Sequence, residues 1–175
     1  MTFFARNETP LGPVLIVAEE AQLTGLYFFG QKYQAQLSAA WTEAPELAVL
    51  KETRWQLDEY FAGKRRAFDL PLAPTGTSFQ QSVWSALCAI PYGETTTYGA
   101  LAESIRARHG VRAVGAAIGR NPISIVIPCH RVIGADRSLT GYAGGLPRKQ
   151  ALLELEGAQR GLPLASIFNS TALRV

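Results

Sequence analysis

The spacing of apolar positions changes rhythm along the chain. In residues 3–29, apolar runs alternate with turn residues. "PLGPVLIVAE" and "LTGLYFFG" read as strands, with turns at Pro10-Leu11-Gly12-Pro13 and near Glu19-Glu20. From about Pro45 to Phe61 the period becomes helical. Leu47, Leu50, Trp55 and Leu57 fall roughly on one face, Pro45 suits a first turn and Gly63 a stop. The first 65 or so residues therefore predict a small antiparallel sheet with a helix. "FDLPLAPTGTS", residues 68–78, is rich in Pro, Gly and Thr and predicts a boundary.

After that boundary the pattern is mainly helical. Thr77 or Ser78 is the N-cap of a first helix, with Phe79, Val83, Trp84 and Leu87 periodic behind it and an end near Pro91-Tyr92-Gly93. Thr96 or Thr97 caps a second, carrying Tyr98, Leu101, Ala102 and Ile105. A break at "ARHG", residues 107–110, leads to a third, "VRAVGAAIGRN". Two short helices about a Gly-containing turn form a helix-turn-helix pattern. The third is nearly without bulk: Ala113, Gly115, Ala116, Ala117 and Gly119 suit either close helix packing or the approach of a large partner such as a nucleic-acid groove. Asn121-Pro122 ends it, "ISIVI" reads as a buried strand, and Pro128-Cys129-His130-Arg131 closes that strand. "LPRKQALLELEG" is a last helix, with Pro147 in its first turn and Gly157 just past its end.

The 175 residues, 47% hydrophobic and 18% charged, describe a soluble globular protein. No apolar run approaches the roughly 20 residues that span a bilayer. The first ten residues lack the features of a secretory signal, which makes the cytoplasm the expected location. The formal charge of +3 permits an anionic partner without requiring one. Its placement is more telling, with "GKRR" at 63–66 and a second basic set of Arg106, Arg108, Arg112 and Arg120. Two cysteines, neither in a CxxC, and two histidines offer neither a disulfide framework nor a metal constellation.

Cys129 beside His130 is the pair that suggests chemistry. A thiol needs a base or a positive environment to become nucleophilic, and His130 can act directly or through a water. Neighbours on a strand face opposite ways, so contact between them needs a bend, for which Pro128 is a reason. An imidazole base is ordinarily oriented by a third group. The last helix offers Glu154 and Glu156, and spacing leaves the choice open.

Residues 112–134, "RAVGAAIGRNPISIVIPCHRVIG", with 140–157, "TGYAGGLPRKQALLELEG", resemble the O6-alkylguanine-DNA alkyltransferase family. The likeness covers about residues 78–160 and rests on PCHR, a preceding RAVG helix with its Asn-Pro, and a following GYxGG loop, in that order. The N-terminal part is more loosely similar to the family's small α/β domain. The resemblance implies an α/β chain. A ribonuclease H-like α/β domain would occupy residues 1–70, a linker 71–77, and a DNA-binding and alkyltransferase domain 78–160, with a tail at 161–175. The second domain would carry a winged-helix-like helix-turn-helix and a short strand bearing the cysteine.

It also implies the reaction: repair of duplex DNA by flipping out O6-alkylguanine and moving the alkyl group irreversibly to Cys129, once per molecule and without cofactor or metal. O4-alkylthymine is a second candidate substrate. By the same resemblance His130 is the base acting through water, Glu156 orients it, and Asn121 is the hinge between recognition helix and active segment. Arg112 is the finger filling the gap in the stack, and Ala113, Gly115 and Ala116 share its DNA-facing helix. Tyr98 helps rotate the nucleotide and contacts the guanine. The carbonyls of Cys129 and Val132 accept from the guanine amine, and the N–H of Ala143, beside Gly144, faces O6. Binding would be to the minor groove, largely independent of sequence, by a monomer. This chain departs from some members in carrying Ala143 where they have serine, and in having no cysteine or histidine before Cys88 to hold their N-terminal zinc. Cys88 is expected to be buried and inert. The competing readings are a lesion-binding protein without chemistry, against which Cys129 stands, a helix-turn-helix regulator, and an unrelated cysteine hydrolase.

Overall fold

The computed structural model describes residues 1–107 and 110–158. Arg108 of the basic set and the tail from residue 161 lie outside the described residues. Strands β1 (Thr2–Asn7), β2 (Val14–Glu19) and β3 (Gln22–Phe28) form an antiparallel meander. The two-residue β4 (Thr42–Glu43) joins the far edge parallel to β1, so the sheet is mixed rather than purely antiparallel, in the order β3-β2-β1-β4. β2 is buried on both faces, which is why "VLIVA" reads as an unbroken apolar run. One face carries Ala5, Val14, Ile16 and Leu26 into the main core. The other carries Phe4, Leu15, Val17 and Tyr27 under Phe29, Ala35 and Trp41.

Helix α1 (Ala48–Phe61) starts three residues after Pro45, with Leu47 at its N-cap. Its buried face is Val49, Leu50, Thr53, Gln56, Leu57 and Tyr60. Trp55 does not belong to it: set about 140° round the helix from Leu50, it is 53% exposed and lies under the Arg65 guanidinium. The connection that follows is held to the sheet edge, where the Leu23 N–H donates to Pro71 (2.8 Å) and the Ala73 N–H to Leu23 (2.9 Å).

Helix α2 (Ser78–Cys88) begins in a capping box, Thr77 and Gln80 satisfying each other's backbone N–H groups. It buries Val83, Trp84 and Leu87. Cys88, one residue beyond that stripe, is exposed, contrary to the expected burial. Strand β5 (Thr96–Thr97) leads into α3 (Tyr98–Ser104), whose N-cap is Thr97 through its hydroxyl, which accepts from the Ala100 N–H. Helix α4 (Gly110–Gly119) packs on α2 and α3 and buries Val114, Ala117 and Ile118. Trp84 Nε1 donates to the Ala117 carbonyl (2.9 Å), fixing α4 against α2.

The expected strand "ISIVI" is not one. Only Ile123 pairs, in an isolated bridge to Leu26, and residues 124–127 wind through tight turns. Ile127 N–H returns to Ile123 (3.0 Å) and Val126 N–H to Ser124 (2.8 Å). Ile125 lies at φ 71°, a conformation strongly disfavoured for a β-branched residue. The apolar run is buried as predicted, but the Asn121 side chain takes the place of a strand partner. Its Oδ1 accepts from the Ile123 N–H (3.0 Å) and its Nδ2 donates to the Ile127 carbonyl (2.9 Å). Cys129–Arg131 is then a single 3₁₀ turn, so Cys129 stands on a turn and not on a strand. Strand β6 (Val132–Ile133) follows, parallel to β5. Helix α5 (Leu146–Leu155) has proline in its first turn and Gly157 at φ 71° past its end. Among the described residues no helix is long and apolar enough to cross a membrane.

Candidate active site

The 3₁₀ turn answers the geometric difficulty of adjacent Cys129 and His130: it rotates them apart by a helical angle rather than the half-turn of a strand. Cys129 is 4% exposed and faces a cavity of about 410 Å³. The cavity is also lined by Tyr98, Gly115, Ala116, Tyr142 and Ala143, and by the exposed Lys32, Tyr33 and Arg120. Asn121 Nδ2 donates to Cys129 Sγ (3.1 Å), so the expected hinge residue also touches the sulfur. Burial pushes the Cys129 thiol up, opposed by the Asn121 hydrogen bond and the nearby Lys149 cation. At rest the sulfur is therefore a protonated thiol and must be deprotonated to react.

Behind it lies a buried charge network. Glu156 accepts from His130 Nε2 (2.8 Å), Arg131 Nε (2.9 Å) and Nη2 (3.0 Å), and the Tyr60 hydroxyl (2.7 Å). Burial alone would raise its carboxyl, but the hydrogen bonds from His130 and Arg131 outweigh this and hold it at about 2. An ionised carboxylate only accepts, so His130 Nε2 carries the proton and Nδ1 keeps the lone pair. Burial lowers the His130 imidazole, despite the adjacent carboxylate, so it is neutral near pH 7. Nδ1 is buried and has no hydrogen-bond partner among the described residues. The pair is thus arranged as a neutral base with one free nitrogen, set next in sequence to the thiol. Glu154 is exposed and its side chain bonds only Gln150 among the described residues, so Glu156 is the glutamate that meets His130.

Sequence reading missed three members. Arg131 was quoted without a role, yet its guanidinium neutralises Glu156 and donates to the Ile90 carbonyl (2.6 Å). Tyr60 comes from α1, 96 residues away, and no local pattern links it to Glu156. Lys149 is fully buried, and its ammonium donates to the carbonyls of Val132, Thr140 (2.7 Å) and Gly141 (3.2 Å). Burial pulls it down to about 8. A lysine inside "LPRKQALLELEG" whose neighbours at helical spacing, Leu146, Leu152 and Leu153, are apolar was the available signal.

Other expected residues divide. Tyr98 is at the cavity, its hydroxyl donating to Thr140 (2.9 Å). Val132 and Gly144 do not line the cavity: the Val132 carbonyl is engaged by Lys149, and Gly144 is glycine because a Cβ would lie 2.8 Å from the Tyr142 ring. Arg112 is exposed in the first turn of α4, and Ala113 is half-buried beside it.

The glycines of α4 are not there for helix packing. Among the described residues a Cβ on Gly119 would meet nothing within 4 Å, and one on Gly115 only the Tyr98 ring at 3.8 Å. They leave a smooth, open surface. Gly119→Ala is therefore expected to raise unfolding stability by about 1 kcal/mol, read in a denaturant titration. The resemblance implies that this face meets DNA, so the same substitution should weaken binding to duplex DNA in a fluorescence anisotropy titration. Unchanged DNA affinity would reduce Gly119 to a structural accident.

Comparison with known proteins gives a consistent answer. Residues 3–74 match the family described as 6-O-methylguanine DNA methyltransferase, ribonuclease-like domain, and residues 78–158 its DNA binding domain. The chain is 49% identical over 156 residues to the methylated-DNA–protein-cysteine methyltransferase of Methanosarcina acetivorans, covering 89% of this chain and 99% of that one. It is 47% identical to the Mycobacterium tuberculosis protein of the same name, covering 89% and 93%. The crystal structure of Mycobacterium tuberculosis OGT in complex with DNA superposes with a TM-score of 0.81 at 46% identity, covering 89% of this chain and 93% of that one.

Proposed function

The chain belongs to the 6-O-methylguanine DNA methyltransferase family, and on that premise we propose that it repairs duplex DNA by taking the alkyl group from O6 of guanine onto Cys129, once per molecule. What carries the reading is the His130–Glu156 pair, which leaves one basic nitrogen, Nδ1, on the residue that follows a thiol facing a cavity of about 410 Å³.

A stacked, paired guanine hides O6, so the nucleotide must first rotate out of the helix, at a cost of a few kcal/mol. Arg112 enters from the exposed start of α4 and occupies the space left behind, where a planar guanidinium can both stack and hydrogen-bond. Ala113, Gly115 and Ala116 keep that helix face low enough to enter the minor groove. Tyr98 turns the nucleotide into the cavity, the Cys129 carbonyl accepts from the guanine amine, and the Ala143 N–H faces O6. The Val132 carbonyl joins them only if Lys149 releases or shares it.

The thiol proton passes through a water to His130 Nδ1, and Glu156 stabilises the imidazolium that forms. Asn121 Nδ2 and the Lys149 charge favour the thiolate as it develops. The S–C bond forms as the C–O6 bond breaks. The bond pair goes to the purine, which takes up a proton equivalent to the one the thiol gave up and leaves as guanine. The product thioether has no route back, so the protein is consumed. Binding rests mainly on phosphate contacts, is largely independent of sequence and weakens with salt. We further propose that the protein acts as a monomer in the cytoplasm, on O6-alkylguanine first and O4-alkylthymine as a second candidate.

The test is intact mass spectrometry after mixing the protein with an O6-methylguanine duplex. One methyl addition per chain, on Cys129, is expected at any excess of DNA. Repeated turnover, or no adduct, would overturn the proposal.

A further inference from the structure

The outer wall of the cavity comes from the opposite half of the chain. The loop after β3 carries Lys32 and Tyr33 to the cavity mouth and is fastened on both sides of the reactive centre. The Lys32 N–H donates to the Ala143 carbonyl (3.0 Å). The Gln31 side chain, 7% exposed, accepts from the Phe28 N–H (2.7 Å) and the Ser124 hydroxyl (3.3 Å), so it ties the loop to the segment that ends in Cys129. The Tyr33 ring is then clamped by a guanidinium from the end of α4, with Arg120 Cζ 4.0 Å from the ring centroid. Tyr33 is also held at φ 61°, a left-handed conformation unfavourable for a bulky residue. Such a conformation persists only where its surroundings over-determine it. The Tyr33–Arg120 contact itself is not part of the core, since Tyr33 is 48% exposed.

We propose that Tyr33, clamped by Arg120, limits the size of the O6 substituent the cavity accepts, admitting methyl and holding back groups as large as benzyl. This rests on the alkyl-transfer reading above. In that reading the substituent lies between Cys129 and Ala143, and the loop bonded to Ala143 is the next thing outward. A methyl adds one carbon to the base. A benzyl adds a ring of the size of Tyr33's own, against a wall fastened at Gln31, Lys32 and Arg120.

Single-turnover transfer is measured on duplexes carrying O6-methylguanine or O6-benzylguanine, together with duplex affinity. Tyr33→Ala is expected to raise the benzyl-to-methyl rate ratio about tenfold, the scale on which a pocket wall discriminates by size. Arg120→Ala should move the ratio the same way by a smaller factor. Tyr33→Phe keeps the ring and should leave the ratio unchanged. An unchanged ratio in Tyr33→Ala, with methyl transfer intact, overturns the wall alone. So does a parallel fall of both rates with DNA affinity, which would make the loop a DNA contact. No methyl transfer by the unaltered protein would overturn the parent reading and this one with it.

Discussion

Cys129→Ser is expected to lower alkyl transfer from an O6-methylguanine duplex by about three orders of magnitude or more, because an alcohol is a far weaker nucleophile than a thiol near neutral pH. The substitution is otherwise mild. The side chain stays in its 3₁₀ turn, its oxygen can still accept from Asn121 Nδ2, and the groups proposed to contact DNA are untouched. Duplex affinity and thermal stability should therefore remain close to those of the parent protein. Adduct formation followed by intact mass, with anisotropy for binding, separates the two effects. A serine variant within tenfold of the parent would point to a hydrolase-like centre, whose base can activate an alcohol, and would remove the acceptor role of sulfur.

Glu156 should show the other large effect, and two substitutions divide its roles. Glu156→Ala strands Arg131, His130 and Tyr60 in a buried site and is expected to cost about 3–5 kcal/mol of stability in a denaturant titration. Glu156→Gln nearly keeps the shape and one acceptor, so it should cost less. Where it turns its amide toward His130, however, it donates to Nε2, which drives the imidazole proton to Nδ1 and occupies the nitrogen that has to act as base. Transfer should then fall by a factor on the order of 10²–10⁴ in a protein that still binds the duplex. Normal transfer by a folded Glu156→Gln variant would sink the orienting role. The pH dependence carries the matching sign. With the carboxyl held at about 2 in the folded chain against an ordinary 4.5, its contribution to stability is complete above about pH 4.5 and is lost as pH falls toward 2. Glu156→Gln should flatten that part of the acid-unfolding curve.

Much of this centre was legible in the residues, and the part that was not has a physical explanation. Thr77 and Thr97 announced their helices because capping chemistry is local. Cys129, His130, Asn121 and Glu156 were named through the resemblance, and the structure pairs Asn121 with Cys129 and His130 with Glu156. The local errors share a cause. "ISIVI" has the composition of a buried strand, and nothing in its periodicity records that one asparagine side chain would replace a strand partner and coil it. Trp55 was placed inward by a loose reading of the helical period and Cys88 was expected to be buried, whereas the faces of α1 and α2 are set by what packs above them. Tyr60 and the Tyr33 loop were out of reach for a different reason. Their meaning lies in contacts across the chain, and a single sequence carries no trace of which distant residues meet.

The hydroxyl of Tyr60 on the Glu156 carboxylate has one further consequence. A shortened protein beginning at residue 78 would inherit sulfur, imidazole and carboxylate, everything the motifs advertise. It would nonetheless arrive with its acid one proton donor short and its cavity roofless on one side. What reads along the gene as a detachable front piece is, in the folded object, part of the tool.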